Sequence, residues 1–193
     1  MSSIPWSARP GPCTQGLTLI ELMMGLAIAA ILATLSAPAF LRQINGSRLS
    51  TASSDLMASL ALARGEAIRT GMRVTVCRSV DGSTCDTAAP AHWNRGWITF
   101  QDINADGVRD PGERLVHAWP AMPAQVIAIG NTQVADRIGF RPSGSTQANG
   151  TLRVCNTSAS LPDDQRARDL VVIRTGRVVL TSPGSVSPQC PKP

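Results

Sequence analysis

Glu21 is the one charged side chain between Leu17 and Phe40. A carboxylate in so long an apolar run needs a cation, because an ionisable group in a low-dielectric surrounding is costly unless it is paired or put to use. A second set of oxygens lies downstream. Asp102, Asn104, Asp106, Gly107, Asp110 and Glu113 fit the spacing D-x-N-x-D-G-x5-E, with oxygen donors at alternate positions and a glycine for the sharp turn, which is the chemistry of a calcium loop. The flanks read as strands, however, Pro111 sits late in the loop, and Arg109 stands where a hydrophobe is usual. A metal-free hairpin turn, in which Asp and Asn bond their own backbone, is therefore the preferred reading. Arg174 and Arg177 bracket a Thr175-Gly176 turn, with Arg166 and Arg168 close by in sequence. Guanidiniums so placed suit phosphate oxygens, as in DNA; a solvated strand face is the plainer account. His92 and His117 stand apart from any nucleophile pattern, and neither a phosphate loop nor a zinc pair occurs, so the chain reads as a non-enzyme without a cofactor.

Cysteine placement narrows the compartment. Cys13 precedes the apolar run, and the remaining Cys77, Cys85, Cys155 and Cys190 are an even number that suits two disulfides in an oxidising environment. Four cysteines allow three connectivities. Loop length, with the exposed character of Asp81-Gly82-Ser83 and of the Pro-rich tail, favours Cys77 with Cys85 and Cys155 with Cys190. The net charge of +5, with Lys192 the lone lysine among 18 basic residues, permits attraction to nucleic acid or anionic lipid without requiring it.

The elements that position these groups can be read from hydropathy and spacing. Residues 17–40 would form a helix of roughly 36 Å, enough to cross a hydrocarbon core of about 30 Å. A secretory signal peptide cut after Ala39 is the competing account, opposed by the polar residues 1–16 ahead of the run and by the early carboxylate. Apolar residues then recur at Leu41, Ile44, Leu49, Ala52, Leu56, Leu60, Ala63 and Ala67, the spacing of an amphipathic helix, and Gly71 is a helix stop. The spacing thus continues the first helix over residues 41–71. Over residues 72–193 the texture changes to short β-like runs: Val74–Cys77, Trp97–Phe100, Leu115–Trp119, Val126–Ile129, Ile138–Phe140, Leu152–Cys155, Leu170–Ile173 and Val178–Leu180. Gly, Pro, Asn and Asp punctuate them. One long helix packed on antiparallel sheet, an α+β head, buries both sets of apolar faces. Trp93, Trp97 and Trp119 read as packing groups.

The segment Gly16-Leu17-Thr18-Leu19-Ile20-Glu21-Leu22-Met23 resembles the class III signal of type IV pilins and type II secretion pseudopilins. The resemblance implies a cytoplasmic leader, residues 1–16, cut after Gly16 by a prepilin peptidase that methylates the new N-terminus at Leu17. It also implies that Glu21 guides insertion into a filament by meeting an N-terminal amine, its own subunit's or a neighbour's. Leu17 departs from the family's usual Phe, and Pro38 matches a proline common along such helices. Further likeness runs through Ala63-Arg64-Gly65-Glu66-Ala67-Ile68, Gly96-Trp97-Ile98-Thr99-Phe100, Phe140-Arg141-Pro142-Ser143-Gly144 and Thr175-Gly176-Arg177, and is to the FimT-like and GspH-like minor pilins. That likeness implies a type IV pilin fold, a single membrane pass in the inner membrane, a periplasmic head, and other pilins or pseudopilins as partners in a pilus or secretion pseudopilus. The count of flanking arginines, Arg9 against Arg42 and Arg48, does not support that orientation. Some FimT-like pilins bind DNA through a Gly-Arg-x-Arg element. Here it reads Gly176-Arg177-Val178-Val179, so that the carry-over extends to Arg177 alone.

Overall fold

The computed structural model describes residues 16–88, 90, 92–147, 149–183 and 190–191, without the side chains of residues 35 and 37. Leader residues 1–15 lie outside the described residues. Contacts divide the chain into two units at Ala39/Phe40, and each is described by itself.

A single helix, α1 (Leu19–Thr70), contains Pro38 and crosses that division. In the first unit its apolar side chains are exposed all round, from Leu19 at 78% to Leu32 at 61%. Two hydroxyls in this stretch turn back on the helix: Thr34 donates to the Ile31 carbonyl (2.8 Å) and Ser36 to the Ala33 carbonyl (3.1 Å). Such self-satisfaction is what a helix needs where water is scarce. The run is long and apolar enough to cross a membrane.

In the second unit α1 buries one face, through Leu49, Ala52, Leu56, Leu60, Ala63 and Ala67. Leu41 is exposed and Ile44 half-buried, because periodicity reports which face is apolar but not where its cover begins. The helix ends at Thr70. Gly71 adopts φ +65° and donates its N–H to the Ala67 carbonyl (3.1 Å), a left-handed stop that suits glycine.

Eight strands come next among the described residues: β1 (Val74–Arg78), β2 (Trp97–Gln101), β3 (Leu115–Trp119), β4 (Val126–Gly130), β5 (Arg137–Phe140), β6 (Gly150–Asn156), β7 (Ala167–Val172) and β8 (Val178–Thr181). They form two four-stranded antiparallel sheets, ordered β3-β2-β1-β5 and β4-β6-β7-β8, rather than a single sheet. The α+β class holds, and the main core joins the buried face of α1 to Val74, Val76 and Trp97 of one sheet and to Ala128, Leu152, Val154, Leu170 and Val172 of the other. β7 begins earlier than its apolar run predicts. Asp169 lies opposite Arg153 in β6 and is held bidentately by it at 2.7 and 2.6 Å, so charge continues the strand where hydropathy stops. On the opposite face of the first sheet, Cys77, Ile98 and Phe100 form a separate small core beneath Cys85 and Leu115.

Two glycine turns meet in this unit. Gly176 (φ +79°) is set so close to the Gly144 carbonyl that an added Cβ would collide with it. Replacing Gly176 with Ala combines left-handed strain with backbone overlap and should cost about 3 kcal/mol in a urea unfolding experiment. Gly112→Ala, where a Cβ meets nothing within 4 Å, should leave the midpoint unchanged.

Candidate functional site

The N-terminal end of α1 is set by Thr18. Its hydroxyl accepts the Glu21 N–H (3.3 Å) and its carbonyl accepts the Leu22 N–H (3.1 Å), so that the helix starts at Leu19. Thr18-x-x-Glu21 is a capping-box spacing, a signal that was present in the sequence and was missed. Glu21 falls in the first turn, where the helix dipole favours a negative charge. It is exposed amid Leu19, Ile20, Leu22, Met23 and Met24 and has no ion-pair partner among the described residues. Gly16 and Leu17 precede the helix and are both exposed, with open space around Gly16. The arrangement presents the exposed Gly16–Leu17 peptide bond, then a carboxylate about one turn further on without an ion-pair partner among the described residues.

The second candidate lies at the β7–β8 turn. Gly176 donates to the Ile173 carbonyl (2.7 Å) and Ile173 to the Arg177 carbonyl (2.9 Å), which leaves Arg174 and Arg177 exposed at the rim. Arg64 of α1 approaches the same place: its Nε would stand 3.2 Å from a Cβ at either Gly144 or Gly176 and has no hydrogen-bond partner among the described residues. A groove of about 340 Å³ lies here, lined by Met57, Arg64, Ile68 and Arg177 among others. Arg166 is instead buried, donating to Asp163 (2.7 Å) and to the Pro191 carbonyl (2.8 Å), a structural role.

Asp102, Asn104, Asp106, Asp110 and Glu113, the candidate calcium ligands, lie in one turn between β2 and β3 whose polar groups bond largely to one another and to the local backbone. Among the described residues no three acidic, histidine or cysteine side chains converge as a metal site. Asp102 is buried, accepting from the Thr75 hydroxyl (2.6 Å) and the Gly107 N–H (3.3 Å). Asp106 accepts from the Val108 N–H (2.7 Å), and both Glu113 oxygens accept backbone N–H groups, of Ile103 (2.7 Å) and Asp110 (3.1 Å). The Asn104 amide group donates to Asp106 (2.9 Å) and Asp110 (3.0 Å), placing N–H donors where a cation would need oxygens. Spacing alone cannot separate this self-bonded turn from a ligand loop, since both need the same residue types.

Cys77 is bonded to Cys85 and Cys155 to Cys190, with Cα separations of 5.6 and 5.9 Å. The first bridge tethers a loop shaped by Asp81, whose carboxyl is held well below the usual range by the N–H and hydroxyl of Thr84 and the N–H of Ser83. Trp93 is buried and donates to the Val134 carbonyl (3.2 Å), and Trp97 stacks on Trp119 with centroids 5.9 Å apart. His117, on β3, meets Trp119 edge-on at 4.6 Å, and His92 bridges to Ile129. Glu66, part of the Ala63–Ile68 likeness, had no role assigned to it from the sequence. It binds Arg69, one turn on, and Arg114, from the segment before β3, tying the two elements together. Hydrogen bonding to Arg69 foremost, and to Arg114, lowers its pKa against the opposing effect of burial.

Comparison with known proteins gives two matches to families. One described as Type II transport protein GspH matches residues 52–176, and one described as Prokaryotic N-terminal methylation motif matches residues 12–37. Among solved structures, the type IV minor pilin FimU of Pseudomonas aeruginosa is similar at 19% identity and a TM-score of 0.54, over 73% of this chain and 96% of that one. A second crystal form gives 18%, 0.52, 72% and 99%. These likenesses show the fold. The minor pseudopilin EpsH of the Vibrio cholerae Type 2 Secretion System is more distant, at 15% identity and a TM-score of 0.48 over 72% of this chain and 99% of that one. Comparison with curated proteins gives no match.

Because the Glu66 carboxyl is depressed on folding, its contribution is present above the ordinary value of 4.5 and is lost as pH falls through the lower folded value. Glu66→Gln should therefore be less stable than wild type at pH 7, by about 1 kcal/mol or less for partners so exposed. The two should converge as pH drops below 4.5, followed by urea unfolding across that range.

Proposed function

We propose, for a chain that belongs to the GspH family of type II transport proteins and carries the N-terminal methylation motif, that Glu21 is its docking group in a filament. The chain is a minor pilin or pseudopilin, a structural subunit. Its motif implies peptidase processing, and its family implies assembly with other pilins or pseudopilins. Its apolar N-terminal helix is a membrane anchor. In the finer reading, a prepilin peptidase cuts between Gly16 and Leu17 and methylates the new amine of Leu17. The amine of one subunit then meets the Glu21 carboxylate of another. Two opposite charges that are each costly in hydrocarbon become acceptable as a pair, so that docking register and charge compensation are the same event. The observation that carries this reading is the exposed, unpaired Glu21 on an apolar helix whose start is fixed by Thr18. The head, with two disulfides, suits the periplasm, with the helix in the inner membrane as a single pass.

Glu21→Ala should leave the amount of membrane-inserted subunit unchanged. Its recovery in sheared or cross-linked filaments should fall at least about tenfold, the factor that ~1.4 kcal/mol of lost pairing produces. Undiminished incorporation would remove Glu21 from the docking role.

A second reading, DNA capture, is favoured by one observation: Arg174 and Arg177 are exposed and lack ion-pair partners among the described residues, with the unpartnered Nε of Arg64 beside the same turn. If it holds, duplex DNA binding should weaken steeply with salt, and Arg177→Ala should flatten that slope by about one unit. Binding that is weak and insensitive to the substitution leaves assembly as the subunit's work.

A further inference from the structure

The Asp102–Glu113 loop carries four carboxylates, Asp102, Asp106, Asp110 and Glu113, and follows β2, which gives Ile98 and Phe100 to the small core. Asp102 is the most demanding of them, because its side chain is fully buried and a buried carboxylate without compensation is strongly unfavourable. Arg73, just ahead of β1, supplies the compensation. Its Nε lies 3.0 Å from Asp102 Oδ2, and its side chain is only 15% exposed. The approach is not that of an aligned hydrogen bond, so charge is what joins the two groups. The backbones are joined as well, since the Asp102 N–H donates to the Arg73 carbonyl at 2.9 Å. Gly139 of β5 makes the space: a Cβ there would come within 2.5 Å of Arg73 Nη2 and 2.9 Å of its Cζ and Nε.

Two further guanidiniums hold the rest of the loop. Arg137 of β5 donates to the Asp106 carbonyl (3.1 Å), its stem lying across Gly107, where a Cβ would stand 2.7 Å from Arg137 Cδ. Arg109, within the loop, donates to the Ser83 carbonyl (2.9 Å) and the Glu113 carbonyl (3.0 Å), lacing it to the loop tethered by Cys77–Cys85. Of these three guanidiniums, Arg73 meets a carboxylate, and Arg137 and Arg109 hold backbone carbonyls of the loop and its neighbour.

We propose that the Arg73 guanidinium is the resident counter-ion of Asp102, so that this loop, although its spacing is that of a calcium loop, closes without a metal and is insensitive to calcium. The Arg73–Asp102 pair positions the loop as the cover of the outer face of the first sheet. Neither the pair nor the loop depends on the docking role of Glu21.

The test uses the full-length protein in detergent, with thermal unfolding followed by tryptophan fluorescence in 5 mM calcium and in excess chelator. Wild type should melt at the same temperature in both. Arg73→Met should lower the midpoint by about 10 °C, as expected when one partner of a buried pair is removed. Arg73→Met combined with Asp102→Asn should recover at least half of that loss, because the stranded charge is gone. If Arg73→Met does not fold, Arg73→Lys decides: a folded Lys variant upholds a counter-ion role, and failure of Lys to fold overturns it. A wild-type midpoint that rises with calcium overturns the proposal, as does a double variant no more stable than Arg73→Met.

Discussion

A carboxylate on a helix that is apolar on every side must find a cation, and the architecture of the N-terminal unit serves that need. Residues 19–32 are exposed and almost wholly hydrophobic, so the one polar demand is concentrated at Glu21. Thr18 fixes where the helix begins, which places Glu21 in its first turn. Hydroxyls in the same stretch are folded back onto carbonyls, and no second unpaired side chain competes with Glu21 among the described residues there. In the proposed docking, a single charge on a uniform apolar surface marks the register, because any other position leaves it uncompensated.

The head obeys the same rule with different means. Several of its buried charges come paired among the described residues: Arg153 with Asp169 across β6 and β7, Arg73 with Asp102 at the start of β1, and Arg78, buried at the end of β1, with Asp136. Its helix face and both sheets supply a common core, and the outer face of the first sheet gains a second, smaller core under loops held by a disulfide and by arginines. Arginine is suited to this work because its planar fork reaches two oxygens at once and keeps its charge when partly buried.

Much of this was legible before any coordinates. All eight β-like runs fall on strands, with Ile173 alone one residue beyond the end of β7, since β-branched and aromatic residues between Gly, Pro and Asn clusters report local preference directly. Family and fold were legible from Gly16 to Met23 and from the order of later motifs. Less legible were pairings between distant segments. The division of the strands into two sheets was not legible, because hydropathy shows that a strand is buried but not which partner it takes. The pairing of Arg153 with Asp169 shows only once register places them opposite one another. Thr18 and Glu66 carried readable local signals, a T-x-x-E spacing and an i, i+3 Glu–Arg pair, that the apolar pattern overshadowed. At Asp102 to Glu113 the spacing suits both a self-bonded turn and a ligand loop, because the two need the same residue types.

The central claim, that this is a processed filament subunit, is met most directly by intact mass of the protein taken from membranes of cells with and without an active prepilin peptidase. The account predicts loss of residues 1–16 and gain of one methyl group at Leu17, only where the peptidase is active. Retention of the leader in both, or a cut after Ala39, would contradict it.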